Sequence, residues 1–407
     1  MKKTLPDQTP SNSNQSIGDN VTSLAKKAFN RRAFMRNSVL AGAVMTGAGV
    51  LDAVPSAFAE PGKGHLTRGD AAILSFLATA EIIESDLWLQ YAELGGVQDD
   101  ELFKLASQQI KGYPSTDPGA GNGTYTSLLQ NLDMDMPQYI HDNTEDEFSH
   151  QFFINAFLIS KGHDPVSLEK FRILNGSTAT GAVQGVQRLS NLTQLTVDTS
   201  WWVRYRSRTG NPDLGDSFPN AVKTLGVNAH TAIPRTDADM SGVPDPNFPQ
   251  AIANTAGFHF AFIEQGGSSL YPSLAQRVSN VEVLRILLSI GPTETSHFQT
   301  WHDKAGNAPA LKATDPVTGV MIEFDNLATT AVGEDLQANL IMPEPTAFLN
   351  RNFPAISIIR PTETRNVAQN AILGLMKDGL FNGQSNGFMN FVMDLAKAAD
   401  DAKRGVF

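Results

Sequence analysis

The chain of 407 residues contains no cysteine. This excludes disulfide bonds, thiolate catalysis, iron–sulfur clusters and cysteine-ligated zinc sites, so the fold has to be stabilised by its core. Basic residues are also scarce, with 31 Lys and Arg against 42 Asp and Glu and a net charge of −11. This acidic balance argues against nucleic-acid binding and against docking on anionic membranes. No stretch is apolar over the ~20 residues that a membrane-spanning helix needs, so we predict no stable membrane anchor.

Residues 1–59 have the organisation of an export signal. A polar leader is followed by the pair Arg31-Arg32, by the apolar stretch SVLAGAVMTGAGVL and by the small-residue sequence Ala57-Phe58-Ala59. The paired arginines indicate the twin-arginine route, with its export machinery as a partner. We therefore expect an exported protein, periplasmic or extracellular. The leader carries a net charge of +4, so the remainder of the chain is near −15.

Two segments of the chain repeat the pattern Glu-x-x-His. They are Glu147-Phe-Ser-His150 and Glu294-Thr-Ser-His297. On an α-helix, three residues turn the chain by about 300° and lift it by about 4.5 Å, so both side chains of each motif project from one face. A carboxylate and an imidazole placed in this way can bind one metal ion. Either motif alone is weak evidence, because this spacing is common by chance.

Each motif is preceded by an apolar helical stretch that carries an acid. The acid is Glu81 in the first stretch and Glu264 in the second, and an aromatic residue follows each of them by seven positions, Trp88 and Tyr271. Glu84, one helical turn after Glu81, is an alternative for the first acid. We prefer Glu81 because its spacing to Trp88 mirrors that of Glu264 to Tyr271.

The order Glu, Glu-x-x-His, Glu, Glu-x-x-His resembles that of the ferritin-like, carboxylate-bridged dimetal proteins. The chain is most similar to their exported bacterial branch, which also resembles plant desiccation-related ferritin-like proteins. The resemblance covers residues 67–98, 136–162 and 249–304. It implies six metal ligands: Glu81, Glu147, His150, Glu264, Glu294 and His297.

The expected fold is mainly α. It consists of a ferritin-like four-helix bundle over residues 60–305, with a long crossover insertion at 164–248, and a C-terminal extension at 306–407 that packs on the bundle or makes a homo-oligomer contact. The periodicity of apolar residues places the four helices at 65–95, 137–161 and 249–271 and from Val281 onward.

Two prolines lie in the predicted third and fourth helices. Pro272 is expected to end or bend the third helix, and Pro292 to kink the fourth or mark a restart. Gly266 and Gly267, which cost helix propensity, are positions where another backbone or an ion could approach closely.

Other segments carry weaker predictions. Strand-like composition is found at 191–208, 317–324 and 355–361, and amphipathic helices are expected at 364–377 and 387–404. In the first of these segments, the tryptophans and the tyrosine indicate either a binding ledge or, preferably, a small packed subdomain. His141 and His163 are expected to be capping or surface groups, and His259 and His302 to be structural.

Four carboxylates carry a charge of −4, which balances two divalent cations. The oxygen-rich set favours two iron or manganese ions, with iron slightly preferred. The resemblance then implies chemistry with dioxygen or peroxide, as in a dimetal oxidase, a ferroxidase or a peroxide-handling oxidoreductase. Two other hypotheses stay open: a metal-binding or stress-protective module without turnover, and a degenerate, purely structural bundle. Iron storage is less favoured, because a storage cage needs a compact subunit.

Overall fold

The computed structural model describes residues 66–117, 119, 121–207, 215–330, 343–344, 352, 356–357 and 365–405. The predicted export signal at 1–59 lies outside the described residues. Among the described helices, none combines the length and the apolar character needed to cross a membrane.

The protein is mainly helical, as predicted. In chain order, the helices are α1 (Arg68–Gly95), α2 (Asp100–Gln109), α3 (Gly123–Leu129), α4 (Met136–Ser160), α5 (Ser200–Arg204), α6 (Phe248–Ala275), α7 (Val281–Ala305), α8 (Leu327–Thr330), α9 (Val367–Lys377) and α10 (Asn386–Asp400). Short 3-10 turns are found at Glu169–Phe171 and Asp237–Met240. The predicted bounds of the four long helices agree with α1, α4, α6 and α7 to within a few residues.

Helix α1 begins after a side-chain cap at Thr67. The hydroxyl of Thr67 accepts a hydrogen bond from the backbone N–H of Asp70 at 3.0 Å. The Asp70 carboxylate in turn accepts from the backbone N–H of Ser279, in the loop between α6 and α7, at 2.8 Å. This bond joins the start of α1 to the loop between α6 and α7.

The long helices pack mainly as two pairs, α1 with α4 and α6 with α7. The end of α1 lies near the start of α4, since the backbone N–H of Val97 donates to the carbonyl of Pro137 at 3.1 Å. Aromatic rings join the pairs: Trp88 of α1 lies 4.8 Å from Phe260 of α6 and 5.2 Å from Trp301 of α7, between ring centroids. These rings are buried, and the area they remove from water holds the pairs together.

Neither proline interrupts its helix. Helix α6 continues through Pro272 to Ala275, and α7 runs through Pro292 without a restart. A proline inside a helix removes one hydrogen bond. That loss is offset here by the extensive packing of α6 on α7, where a Cβ added at Gly291 would lie 2.9 Å from the Cβ of Tyr271. The predicted end at Pro272 and restart at Pro292 were therefore wrong.

Among residues 191–207, which the structure describes, the crossover segment forms no extended strand. Outside the named strands, pairing among the described residues is limited to the bridges Leu174–Arg188 and Leu195–His230, and Ser200–Arg204 is the short helix α5. The β-branched and aromatic residues pack inward instead of pairing: Trp201 and Trp202 are buried. The strand prediction was wrong for this segment, and a ledge of exposed tryptophans is excluded.

Two buried carboxylates of α1 fix the crossover segment to the bundle. Asp86 accepts from the backbone N–H groups of Leu189 and Ser190 at 3.0 and 2.9 Å. Glu93 forms a two-bond ion pair with Arg188 at 2.8 and 2.7 Å. The crossover is therefore tied to α1 by charge-assisted bonds that lie out of contact with water.

The described residues of the C-terminal part add two small antiparallel ladders, the single turn α8 and two longer helices, α9 and α10. Strands β1 (Leu311–Thr314) and β2 (Met321–Phe324) pair from Leu311–Phe324 to Thr314–Met321. Strands β3 (Pro343–Glu344) and β4 (Ile356–Ser357) form the second ladder. Helix α10 packs on α1, and α9 packs on α10 and α6. The strands predicted at 317–324 and 355–361 and both C-terminal helices have counterparts in these elements.

Candidate metal centre

The six residues predicted from the sequence lie together in the core. Glu81 comes from α1, the first motif from α4, Glu264 from α6 and the second motif from α7. Their ligand atoms form two groups, each with all atoms within 4.8 Å of one another, and Glu147 and Glu294 belong to both. The first group adds Glu81 and His150, and the second adds Glu264 and His297.

In the first group, three carboxylates face one nitrogen. The Nδ1 atom of His150 lies 3.3 Å from Glu81 Oε2, 3.3 Å from Glu147 Oε2 and 3.1 Å from Glu294 Oε1. One ring nitrogen carries at most one proton, so it cannot serve three oxygens as a hydrogen-bond donor. Hydrogen bonding alone therefore does not account for three carboxylate oxygens around this nitrogen.

The second group has the same arrangement around His297. Its Nδ1 atom lies 3.3 Å from Glu147 Oε1 and 3.3 Å from Glu264 Oε2. Its other ring nitrogen, Nε2, lies 3.1 Å from Asp146 Oδ2. A carboxylate at Nε2 holds the proton there and leaves the Nδ1 lone pair directed at the acids, which is the usual setting of a metal-binding histidine.

Several atoms of this cluster have no hydrogen-bond partner although they are buried. They are Glu264 Oε2, both carboxylate oxygens of Glu294 and His297 Nδ1. A buried polar atom without a partner costs about 1–3 kcal/mol, and more when it is charged. A cation bound between these atoms would satisfy all of them at once.

The spacing of the facing atoms also suits an ion. Ligand atoms at about 2.1 Å from one metal ion lie about 3.0 Å apart in an octahedron and about 3.4 Å apart in a tetrahedron. The measured separations between the His nitrogens and the carboxylate oxygens are 3.1–3.3 Å. The buried Glu and His side chains could therefore hold a metal ion.

Burial and mutual repulsion shift the protonation of the acids. Burial raises the pKa of Glu81 to about 7, although His150 opposes the shift. Burial also raises the pKa of Glu264 and Glu294, and the charge of Glu147 adds to this effect. For Glu147, burial alone would raise the pKa, but the two imidazoles that face it outweigh burial and lower the pKa.

The imidazoles respond in the opposite sense. Burial would lower the pKa of His150 and His297, but the facing carboxylates raise it well above its ordinary value. Without a cation, the cluster therefore holds protons on its histidines and on some of its acids. An incoming cation would displace those protons, so its affinity should increase with pH.

Besides Asp146, two further residues orient the candidate ligands, Asn143 and Tyr271. Asn143 donates from Nδ2 to Glu147 Oε1 at 2.9 Å and to Glu264 Oε1 at 3.0 Å, and its Oδ1 accepts from Trp301 Nε1 at 2.7 Å. The hydroxyl of Tyr271 donates to Glu81. Sequence reasoning noted Tyr271 but missed Asn143 and Asp146; the position of Asn143, four residues before Glu147, was the available signal.

Glu84 lies outside both groups of ligand atoms. It is half-buried one turn after Glu81. Burial raises its pKa, and the charges of Glu147 and Glu294 add to the shift. The sequence-based preference for Glu81 over Glu84 therefore agrees with the placement of the two side chains.

The remaining histidines differ in their surroundings. His259 Nδ1 forms a hydrogen bond with the Tyr91 hydroxyl at 2.7 Å, and His302 Nε2 lies 2.8 Å from the Arg206 guanidinium. Both are buried, as expected for structural groups. His163 is half-buried at the end of α4. His141 is buried rather than at the surface, which corrects the prediction, because α2 and the acids near it cover its ring.

Comparison with protein-family models, with curated proteins and with solved structures found no match. Function therefore has to be inferred from the residues of the site.

Proposed function

We propose that this chain is an exported ferritin-like protein that binds two iron or manganese ions and uses them in redox chemistry with dioxygen or peroxide. The observation that carries the proposal is the sharing of Glu147 and Glu294 by the two ligand groups. Two separate mononuclear sites would not need common ligands. Glu81 and His150 would complete the site of one ion, and Glu264 and His297 the site of the other.

Charge and donor type support a pair of divalent cations. The four carboxylates are fully buried. Burying four negative charges is costly unless cations neutralise them, and two divalent ions do so. The set contains four oxygen-donor side chains, two imidazoles and no sulfur, which favours iron or manganese, with iron slightly preferred.

The ferritin-like assignment is part of the proposal. It is supported by the order of the ligands along four long helices, since α1, α4, α6 and α7 carry Glu, Glu-x-x-His, Glu and Glu-x-x-His in turn. That is the arrangement of the ferritin-like carboxylate proteins. The export route is proposed from the residues at 1–59 alone.

A pair of redox-active ions would supply two-electron exchange with dioxygen or peroxide. The chain's own side chains set the conditions for it. Asn143 and Tyr271 hold three of the carboxylates by hydrogen bonds, and Asp146 keeps the proton of His297 on Nε2. The cluster reaches the surface only at the edges of His150, which is 8% exposed, and of His297, whose side chain is 12% exposed. This closure favours small reactants over a bulky organic substrate.

The same closure also favours a second candidate function. A site that admits little beyond small ions could hold metal without turnover, as a binding or stress-protective module. The two candidates share their ligands and differ only in whether the loaded protein reacts. Metal content and reactivity must therefore be measured separately.

The first experiment counts ions in single variants. The purified protein is loaded with Fe(II) or Mn(II) without oxygen and analysed by mass spectrometry of the metal. We expect two ions per chain in this cluster of the wild type, so that the total metal content falls by one ion in Glu81→Gln and Glu264→Gln and by two in Glu147→Gln and Glu294→Gln. Glu84→Gln is the matched control, because Glu84 lies near Glu81 but outside both groups, and it should keep two.

The outcome separates the three hypotheses. Equal and low metal content in all of these proteins would contradict the dimetal proposal and leave a structural role for the buried acids. Two ions with consumption of dioxygen or peroxide would support an oxidoreductase. Two ions without such consumption would support the non-catalytic module.

A further inference from the structure

A second cluster of potential ligands lies near the start of α4, apart from the six residues above. It consists of His141, Asp142 and Glu145, whose ligand atoms lie within 4.8 Å of one another. The side chain of His141 is only 5% exposed. Glu145 and Glu147 are two residues apart, which places them about 200° from each other around the helix, so the two clusters occupy different faces.

The ring of His141 is held from one side. Its Nε2 atom lies 3.3 Å from Asp99 Oδ1, at the start of α2. A carboxylate at this nitrogen accepts the ring proton and leaves the lone pair on Nδ1. This is the relationship that His297 has with Asp146.

The other ring nitrogen has no hydrogen-bond partner. The Nδ1 atom is buried and lies 3.7 Å from Asp142 Oδ1 and 4.0 Å from Glu145 Oε2, and Glu145 Oε1 is also buried without a partner. These separations are too long for hydrogen bonds. The buried nitrogen is thus directed at the space between two carboxylates, of which Asp142 Oδ1 also accepts from Gln138 Nε2 at 2.8 Å.

We propose that His141, Asp142 and Glu145 form a separate site for a single divalent transition-metal ion. One imidazole and two carboxylates suit Zn²⁺, Fe²⁺ or Mn²⁺, and the imidazole disfavours Mg²⁺ and Ca²⁺, which take oxygen ligands. The two nitrogen–oxygen separations, 3.7 and 4.0 Å, need to shorten by about 0.3–1.0 Å around the ion. Partial exposure allows this, since the side chain of Asp142 is 34% exposed and that of Glu145 is 15% exposed.

The position of the site gives it a structural consequence. Asp99 belongs to the cap of α2, where Oδ1 also accepts from the backbone N–H of Glu101 at 2.8 Å. An ion on His141 Nδ1 therefore connects α4 to the start of α2 through the imidazole. The alternative occupant of the gap is a proton on Nδ1, which would make the cluster an ordinary ion pair.

The test uses Zn²⁺ as the probe and removes the other cluster first. The full chain carrying Glu147→Gln is titrated with Zn²⁺ by calorimetry, with and without the additional change His141→Gln. We expect one ion per chain in the single variant and at least a tenfold weaker affinity in the double variant. His163→Gln, a half-buried histidine at the other end of α4, is the matched control and should leave binding unchanged.

A second readout guards against a change in folding. Co²⁺ added to the Glu147→Gln chain should give visible absorption bands from this site. The bands should disappear when His141→Gln or Glu145→Gln is added, while far-ultraviolet circular dichroism stays the same. Zn²⁺ binding that is unaffected by His141→Gln, or no binding in the Glu147→Gln chain, would show that a proton fills the gap. If Glu147→Gln does not fold, the same comparison in the otherwise unchanged chain should show one ion fewer per molecule in His141→Gln.

This proposal does not depend on the dimetal site. Both titrated chains lack Glu147, so failure of the dimetal proposal would leave the expected difference intact. Conversely, finding two ions bound by the cluster of Glu147 and Glu294 would neither support nor contradict an ion at His141.

Discussion

Gly267 of α6 leaves the space beside its backbone that the carboxylate of Glu294 on α7 occupies. A Cβ at position 267 would lie 2.7 Å from Glu294 Oε2 and 3.2 Å from its Cγ. Gly267→Ala should therefore push the shared carboxylate out of place and reduce the metal content, by an effect on the order of a 10–100-fold loss of affinity. Metal analysis after dialysis measures this.

The neighbouring glycine provides the control. A Cβ at Gly266 would meet nothing within 4 Å. Gly266→Ala should keep the full metal content and gain up to about 1 kcal/mol of stability from helix propensity. Equal metal content in the two alanine variants would contradict the role assigned to Gly267.

Asn143 is expected to matter for both ions, because it donates to Glu147 and to Glu264. Asn143→Ala should weaken metal binding by about 10–100-fold, as is typical when a residue that orients ligands is lost. Trp301→Phe keeps a buried aromatic ring but removes the bond that orients Asn143, so its effect on metal binding should be smaller. A competition titration with a chelator measures both, and a larger loss in Trp301→Phe would overturn this order.

Tyr271 should affect one side of the cluster more than the other. Its hydroxyl donates to Glu81, which belongs to the first ligand group alone. Tyr271→Phe should weaken the first ion by about tenfold, equivalent to about 1.4 kcal/mol, and spare the second. Tyr91→Phe is the control, since this buried hydroxyl bonds His259 instead. Stepwise calorimetry distinguishes the two ions, and equal loss at both would contradict the prediction.

The Glu93–Arg188 pair is expected to dominate the stability of the crossover segment. Both side chains are 1% exposed. Glu93→Ala would leave the Arg188 guanidinium buried without its partner, so the free energy of unfolding should fall by about 3–5 kcal/mol. Asp401→Ala, which breaks the exposed pair with Lys397, should have no measurable effect. Denaturant unfolding provides the comparison, and similar midpoints for both variants would rule out the proposed anchor.

Asp378 should make stability depend on pH. Burial and the nearby charge of Asp198 raise its pKa to about 7. A carboxyl whose pKa is raised on folding binds more protons in the native state, so its contribution to stability falls as pH rises from about 4 to 7. Asp378→Asn should raise the free energy of unfolding by about 1–3 kcal/mol near pH 8 and change it little near pH 4. Parallel stability profiles for the two proteins would contradict this.

Local sequence patterns predicted the helices well where interactions between residues close in the sequence determine the structure. The spacing of apolar residues placed α1, and the repeated Glu-x-x-His spacing selected four of the six clustered side chains. Local rules failed where packing outweighs propensity. Pro272 and Pro292 lie inside continuous helices, because contacts between α6 and α7 offset the lost backbone bonds. The tryptophan-rich segment folds inward for a similar reason.

Residues that support the cluster were harder to predict. The spacing of Asn143 to Glu147 was a signal, but the bond of Asn143 to Glu264 and the contact of Asp146 with His297 join residues far apart in the sequence. His141 is buried and contacts Asp99 at the cap of α2, which cannot be seen from the sequence of α4 by itself.

The amino-acid sequence by itself determined that the chain is mainly helical and that two helices each present a carboxylate and an imidazole on one face, because the helical repeat fixes the direction of side chains three residues apart. Only the tertiary structure decided that all six side chains meet, that Glu147 and Glu294 are shared, and that Gly267 leaves room for the latter. The reason is that these distances join residues up to 216 positions apart in the sequence, and such distances are set by the packing of the helix pairs rather than by any local preference of the backbone.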